Sequence, residues 1–219
     1  MQTAVCRELQ IIFFLFVKCR MPPCMNIVIG AALPTLVYLA SVLSVEGAQR
    51  AASKTTRIHA RYTREYVETV GVLLAQTVST AAMSIVLADG DARMWSVLVG
   101  MCIVDTVEYW CHRAMHRTPW AYKHMHHTHH SIAPQPFCAL LNSSAEALFT
   151  GMWIAAGFLL LQIPWQSFVI VTSLGSAKTV WDHSHFSQQH ALHHARPNVN
   201  FEQPFFTVWD RVMGTFAHG

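Results

Sequence analysis

Two histidine clusters divided by a long apolar stretch constrain this chain more than anything else in it. The first is Tyr109 to His130, YWCHRAMHRTPWAYKHMHHTHH, which holds seven of the 14 histidines. Within it His112 and His116 form H-x3-H, and His126, His129 and His130 form H-x2-HH. The second cluster contains His183, His185, His190, His193 and His194, and repeats H-x2-HH at His190 to His194. Imidazoles three or four residues apart fall on one face of a helix, one turn from each other. Each group is therefore a two- or three-ligand metal site in the making. A fold that uses them together must bring the ends of a long apolar segment back to one place.

The composition says where that place is. Apolar residues make up 53% of the chain and charged residues 12%, about half the ~25% usual in soluble domains. This is the balance of a membrane protein. Net charge is only +3 with histidine neutral, which gives no case for nucleic-acid binding. The six cysteines show no CxxC and no disulfide-framework spacing, so reduced, buried thiols are expected.

Along the chain, Leu9 to Val17 is apolar but too short to span, since a bilayer helix needs about 20 residues. Flanked by Arg7, Lys18 and Arg20, it reads as a signal-like or interfacial amphipathic segment. Met25 to Val45 is a spanning candidate interrupted by Pro34. The basic stretch Glu46 to Glu65 follows, with Arg50, Lys54, Arg57, Arg61 and Arg64, and is expected on the cytosolic side. Val70 to Ala88 and Met94 to Trp110 form a hairpin turning at Asp89 to Arg93. Ala147 to Ile163 and Trp165 to Trp181 form a second, turning at Pro164. Each hairpin starts and ends on one side, so both histidine clusters are expected on one face, the cytosolic one. The fold expected is all-α: a polytopic membrane helical bundle of two hairpins plus an N-terminal span, capped by the histidines. Residues 1–69 form its N-terminal membrane segment and basic cytosolic loop, and 70–219 the membrane unit that carries both histidine clusters.

Neutral imidazole suits iron, zinc, copper and nickel. Eight to ten imidazoles exceed one coordination sphere, so two metal ions are implied. Nearby carboxylates are few: Asp105, Glu108, Glu146 and Asp182. Asp105 and Glu108 precede His112 by two turns and one turn of the same helix, and with Asp182 are candidates to hold imidazole N–H groups. His124, His127 and His185 fall off the repeated spacing, and His59 and His218 are expected to be bystanders. Trp110, Trp120, Tyr122 and Trp209 suit an interfacial aromatic belt.

The boxes resemble the fatty acid hydroxylase superfamily of membrane di-metal oxygenases over Asp105 to Phe216. YWCHRAMH, YKHMHHTHH, AKTVWDHS and NFEQPFFTVWDRVMGTF are most similar to the sphingoid-base C4-hydroxylases. The resemblance implies hydroxylation by O2 at C4 of a sphinganine or dihydroceramide chain, giving a phytosphingosine-type product. It implies two iron ions (zinc in a purified form), and electrons from NAD(P)H through cytochrome b5 and its reductase. It also implies an endoplasmic-reticulum membrane location. Carried over residue by residue, the metal ligands are His112, His116, His126, His129, His130, His183, His190, His193 and His194. The same boxes fit a sterol C5-desaturase or C4-methyl sterol oxidase.

Two departures stand out. Asn142-Ser143-Ser144 stands where family members usually have Asn-His-Pro, and the segment from His183 to His190 is shorter than in relatives. Either His183 reaches the site from a helix end, or the third box fails to fold back. The latter would leave an impaired metal-binding homologue.

Overall fold

The computed structural model describes residues 22–53, 63–201 and 204–218. Leu9 to Val17, and Lys54, Arg57, His59 and Arg61 of the basic stretch, lie outside the described residues. The described residues form helices and turns: α1 (Pro23–Ser53), α2 (Thr63–Val86), α3 (Met94–Arg117), α4 (Ser144–Leu160), α5 (Trp165–Asp182) and two short helices, α6 (Gln189–Ala195) and α7 (Val208–Val212). The four described cysteines, Cys24, Cys102, Cys111 and Cys138, are free thiols.

Among the described residues, three helices are long and apolar enough to cross a membrane: Cys24–Ala52, Thr63–Val86 and Met94–Arg117. Their outward faces carry exposed apolar side chains such as Leu36, Leu43, Leu74, Val78 and Leu98, which lipid would solvate. Pro34 lies inside α1, next to a threonine that ties the helix to its neighbour. Thr35 donates to the Ala31 carbonyl (3.3 Å) and pairs with Thr77 of α2 (2.6 Å).

The second hairpin is built differently from the first. Helix α4 is apolar but has 17 residues, about 26 Å at 1.5 Å per residue, short of the ~30 Å hydrocarbon core. Helix α5 carries Gln166, Ser167, Ser173 and Ser176 among its buried positions. It sits inside the bundle, packed against α1, α2 and α3. Two of its serines are met inside the bundle: Ser167 by Ser96 (2.8 Å) and Ser176 by Gln76 (3.0 Å). Burial on several faces explains why this helix reads as a span by length but not by apolar content.

The main core joins Met83, Leu87, Phe158, Ile163, Trp165, Phe168, Val169 and Val171. Its tightest crossing is α3 against α4. A Cβ on Gly157 would lie 2.6 Å from Ile103 Cγ2, and one on Gly100 2.8 Å from Phe158 Cζ. Only glycine admits this approach.

The two interhelix turns lie together. Trp165 N–H donates to the Ala88 carbonyl (3.1 Å), and Asp89 Oδ1 accepts from Trp165 Nε1 (3.1 Å) and Gln166 Nε2 (2.7 Å). With both reversals pinned at one end, the far ends of α3 and α5 emerge together at the other, as counting the spans predicts.

Candidate metal centre

Nine histidines meet at that end. His112 and His116 are on the last turns of α3. The chain then passes a short α-turn at Pro119–Ala121 into a π-helical turn, Tyr122–His126, closed by His127 N–H on the Tyr122 carbonyl (2.8 Å). A 3-10 turn over His129–Ser131 follows. A single regular helix was the simplest expectation for this box; the wider and tighter turns instead turn His126, His129 and His130 all inward. Such π-turns recur at functional sites. His183 ends α5, and His190, His193 and His194 are carried by α6. The short link between them folds back without difficulty: the rings of His183 and His190 lie 4.0 Å apart.

Two groups result. His112, His116, His126, His130 and His193 form one; His129, His183, His190 and His194 form the other. Within each group the candidate ligand nitrogens lie within 4.8 Å of one another. The two downstream boxes each divide in the same way. Their i, i+4 pairs, His126/His130 and His190/His194, stay together on one face. The i+3 residue crosses over: His129 joins the second group and His193 the first. Neither group can form without chain segments from both clusters.

The nitrogens fit metal ions. Nε2–Nε2 separations are 3.2 Å for His112/His116, 3.1 Å for His116/His130 and 3.0 Å for His126/His130 in the first group. In the second they are 3.2 Å for His129/His190, 3.2 Å for His129/His194 and 3.0 Å for His190/His194. Ligands 2.0–2.1 Å from a common metal at ordinary angles sit roughly 3.0–3.4 Å apart. The Nδ1 atoms confirm the orientation. His112 Nδ1 faces the Phe201 carbonyl (2.5 Å), His126 Nδ1 the Glu146 carboxylate (2.8 Å) and His129 Nδ1 the Leu141 carbonyl (3.2 Å). His183 and His193 face the carbonyls of Thr179 and Val199, both at 2.8 Å. An Nδ1–H donated to oxygen fixes the tautomer and leaves a lone pair on Nε2, aimed into the cluster. Lone pairs facing one another need a cation between them. The buried Nε2 atoms of His183 and His193 have no hydrogen-bond partner among the described residues.

Burial holds these rings in the ligand form. It lowers His129 to about 4 and His193 to about 3, and drives His126, His130, His183, His190 and His194 down as well. Imidazoles neutral at physiological pH bind metal without first losing a proton. His124, His127, His185 and His218 are exposed.

Asp105 is placed differently from the sequence expectation. Asp105 accepts the backbone N–H groups of Phe205 (2.9 Å) and Phe206 (2.7 Å), so it fastens the C-terminal segment to α3. Asp182 accepts from Lys178 and from Ser187 (3.2 Å), and Glu108 is half-buried on α3. Glu146 meets an imidazole, that of His126. Ser143 sets it there by capping α4, its Oγ accepting Glu146 N–H (3.1 Å). The Ser-x-x-Glu spacing at 143–146 was a legible helix start; that its glutamate would face His126 was not. Tyr122 also leaves the aromatic belt: its ring lies against His116 (5.5 Å) and His130 (5.9 Å) and walls the first group. Phe201, 2% exposed, closes the other side, 5.7 Å from His116 and 5.8 Å from His193.

The fatty acid hydroxylase family model matches residues 97–215, the stretch that carries every one of these histidines. The chain belongs to the fatty acid hydroxylase family. With its apolar helices, it is an integral membrane monooxygenase of that family, with a histidine cluster built to bind metal. Among similar proteins, sphinganine C4-monooxygenase 2 of Arabidopsis thaliana is 34% identical over 67% of this chain and 69% of its own length. Very-long-chain aldehyde decarbonylase GL1-9 of Oryza sativa is 30% identical over 66% of this chain and 68% of its own. Sphingolipid C4-hydroxylase SUR2 of Saccharomyces cerevisiae is 29% identical over 56% of this chain but only 40% of that longer protein. No solved structure matches the chain.

Proposed function

We propose that this hydroxylase places a hydroxyl on C4 of a sphinganine or dihydroceramide chain. Each turnover consumes one O2, two electrons and two protons, and releases water with the hydroxylated lipid. The observation that carries the reading is the pairing of two adjacent, buried, all-imidazole groups on a chain similar to named sphinganine C4-monooxygenases. His112, His116, His126, His130 and His193 would hold one iron ion, and His129, His183, His190 and His194 the other. Bound iron supplies the O2 chemistry that an unactivated C–H bond requires, which acid–base side chains lack.

The chain's own groups prepare that chemistry. Glu146 and the carbonyls of Leu141, Thr179, Val199 and Phe201 lock imidazole tautomers. Phe201 and Tyr122 keep water from the first group, and the apolar faces of α1 to α4 bring lipid alongside. Arg113, Arg117 and Lys123 surround the first box, which favours a cytosolic histidine face by the positive-inside rule. Electrons would then come from NAD(P)H through cytochrome b5 and its reductase, at the endoplasmic reticulum. Residues 70–219 would be the catalytic domain.

The test is expression in cells lacking C4-hydroxylated sphingoid bases, with lipid mass spectrometry. The trihydroxy base is expected with the natural chain and absent with His129→Ala. Sterol products, or alkanes from aldehydes as the name of the rice relative suggests, would reassign the substrate. No oxidised lipid from a fully metallated protein would refute an active hydroxylase.

A further inference from the structure

The two histidine groups differ in what steadies their rings. In the four-histidine group, His183 leans on the Thr179 carbonyl of its own helix and His129 on the Leu141 carbonyl just before α4. In the five-histidine group, His193 and His112 lean on the carbonyls of Val199 and Phe201. These two carbonyls belong to one short bracket of backbone.

The bracket has its own fastenings. Asn200, between the two carbonyls, has a φ of 49°, in the left-handed region that asparagine tolerates better than most residues. Its side chain closes on Ala217 from both sides: Nδ2 donates to the Ala217 carbonyl (2.9 Å) and Oδ1 accepts Ala217 N–H (2.8 Å). Its own N–H donates to the Thr215 carbonyl (2.8 Å). Phe201 N–H donates to Asp210 Oδ1 (3.2 Å), which also accepts the Thr215 hydroxyl (2.7 Å). That hydroxyl pairs with Tyr109 on α3, one turn before His112 (3.1 Å). Asn200, Phe201, Asp210 and Thr215 are all buried.

We propose that Asn200 and Asp210 are positioning residues for the five-histidine metal group alone, acting through the Val199 and Phe201 carbonyls that orient His193 and His112. The inference rests on the two-ion reading above. Freed from the bracket, the two rings lose their Nδ1 acceptors and their fixed orientation in a dry site. Loss of such outer partners typically weakens metal binding by about 10- to 100-fold. The four-histidine group keeps every support it has.

The experiment is chelator competition on detergent-purified full-length protein, reading bound iron per chain by elemental analysis, with helix content followed by circular dichroism. The natural chain is expected to hold two ions. Asp210→Ala should keep one at unchanged affinity and bind the other about 10- to 100-fold more weakly. Asp210→Asn, which retains an acceptor oxygen for Phe201 N–H, should restore both. Both ions retained at full affinity in Asp210→Ala, both lost together, or Asp210→Asn as weak as Asp210→Ala would overturn the proposal. Should Asp210→Ala fail to fold, Asn200→Gly carries the same expectation, because it keeps the positive φ and drops only the clamp on Ala217. A natural chain holding fewer than two ions would sink the two-ion reading itself, and this inference with it.

Discussion

Replacing Glu146 with alanine should damage metal binding far more than it damages the fold. The carboxylate accepts His126 Nδ1–H at 2.8 Å, and the two side chains are 8% and 2% exposed. Without it, a buried N–H has no acceptor, which costs about 1–3 kcal/mol. The same substitution removes a second strain. Glu146 Oε2 is buried with no hydrogen-bond partner among the described residues, and relieving an unmet acceptor returns about as much. In the metal-free protein the two effects largely offset, and stability should move by no more than about 1 kcal/mol. With metal the balance changes, because the carboxylate both fixes the His126 tautomer and raises its basicity. The five-histidine group should then lose about 10- to 100-fold in affinity, or about 1.4–2.7 kcal/mol. Thermal midpoints of natural and Glu146→Ala protein, each with and without metal, separate these terms. The variant should nearly match the natural chain when stripped and fall behind when loaded. Glu146→Gln, which keeps an acceptor oxygen, should lie between. An equal drop in both states, with metal affinity unchanged, would refute the reasoning and reduce Glu146 to a packing residue.

Three further outcomes are expected. Asp89→Ala, at the end of the bundle far from the histidines, strips the acceptor shared by Trp165 Nε1 and Gln166 Nε2; it should lower stability by about 1–3 kcal/mol and leave bound metal per chain unchanged. Gly157→Ala puts a methyl 2.6 Å from Ile103 Cγ2 and should cost about 1–3 kcal/mol by overpacking; Ile103→Ala in the same chain should recover part of that loss, and strictly additive effects would place the two helices further apart than they are. Burial lowers His129 to about 4 and His193 to about 3, so the unfolded chain protonates first: metal-free stability should be full above about pH 6.5 and fall as pH drops from there toward 4. By the same shifts, metal binding at pH 6 should release almost no protons, where nine ordinary imidazoles would release about seven; calorimetry in buffers of different ionisation enthalpy measures this directly.

How the metal centre was and was not written in the sequence follows from the range of the forces involved. Histidine spacing reports helix faces, and two polar reversals between apolar segments report that the ends return together. Both are local or countable, and together they bring all nine histidines to one end. What spacing could not assign is which ring serves which group, because His129 and His193 cross over only once α6 and the π-turn at Tyr122–His126 face each other. Asp105 misleads for the same reason. Asp105 lies two turns from His112 in sequence, yet its oxygens take the amides of Phe205 and Phe206, a hundred residues away. Glu146 looks like an ordinary first-turn glutamate until α4 sets it beside His126. The buried helix α5 hides in another way: its polar residues lower its apolar signal, yet Ser176 and Ser167 face partners on α2 and α3, and Gln166 faces Asp89 in the turn between them, rather than lipid. The tail is the least legible part, since apart from the Phe201 ring it reaches the imidazoles through backbone carbonyls. A backbone acceptor has no signature in sequence; only the residues that aim it, Asn200 and Asp210, do.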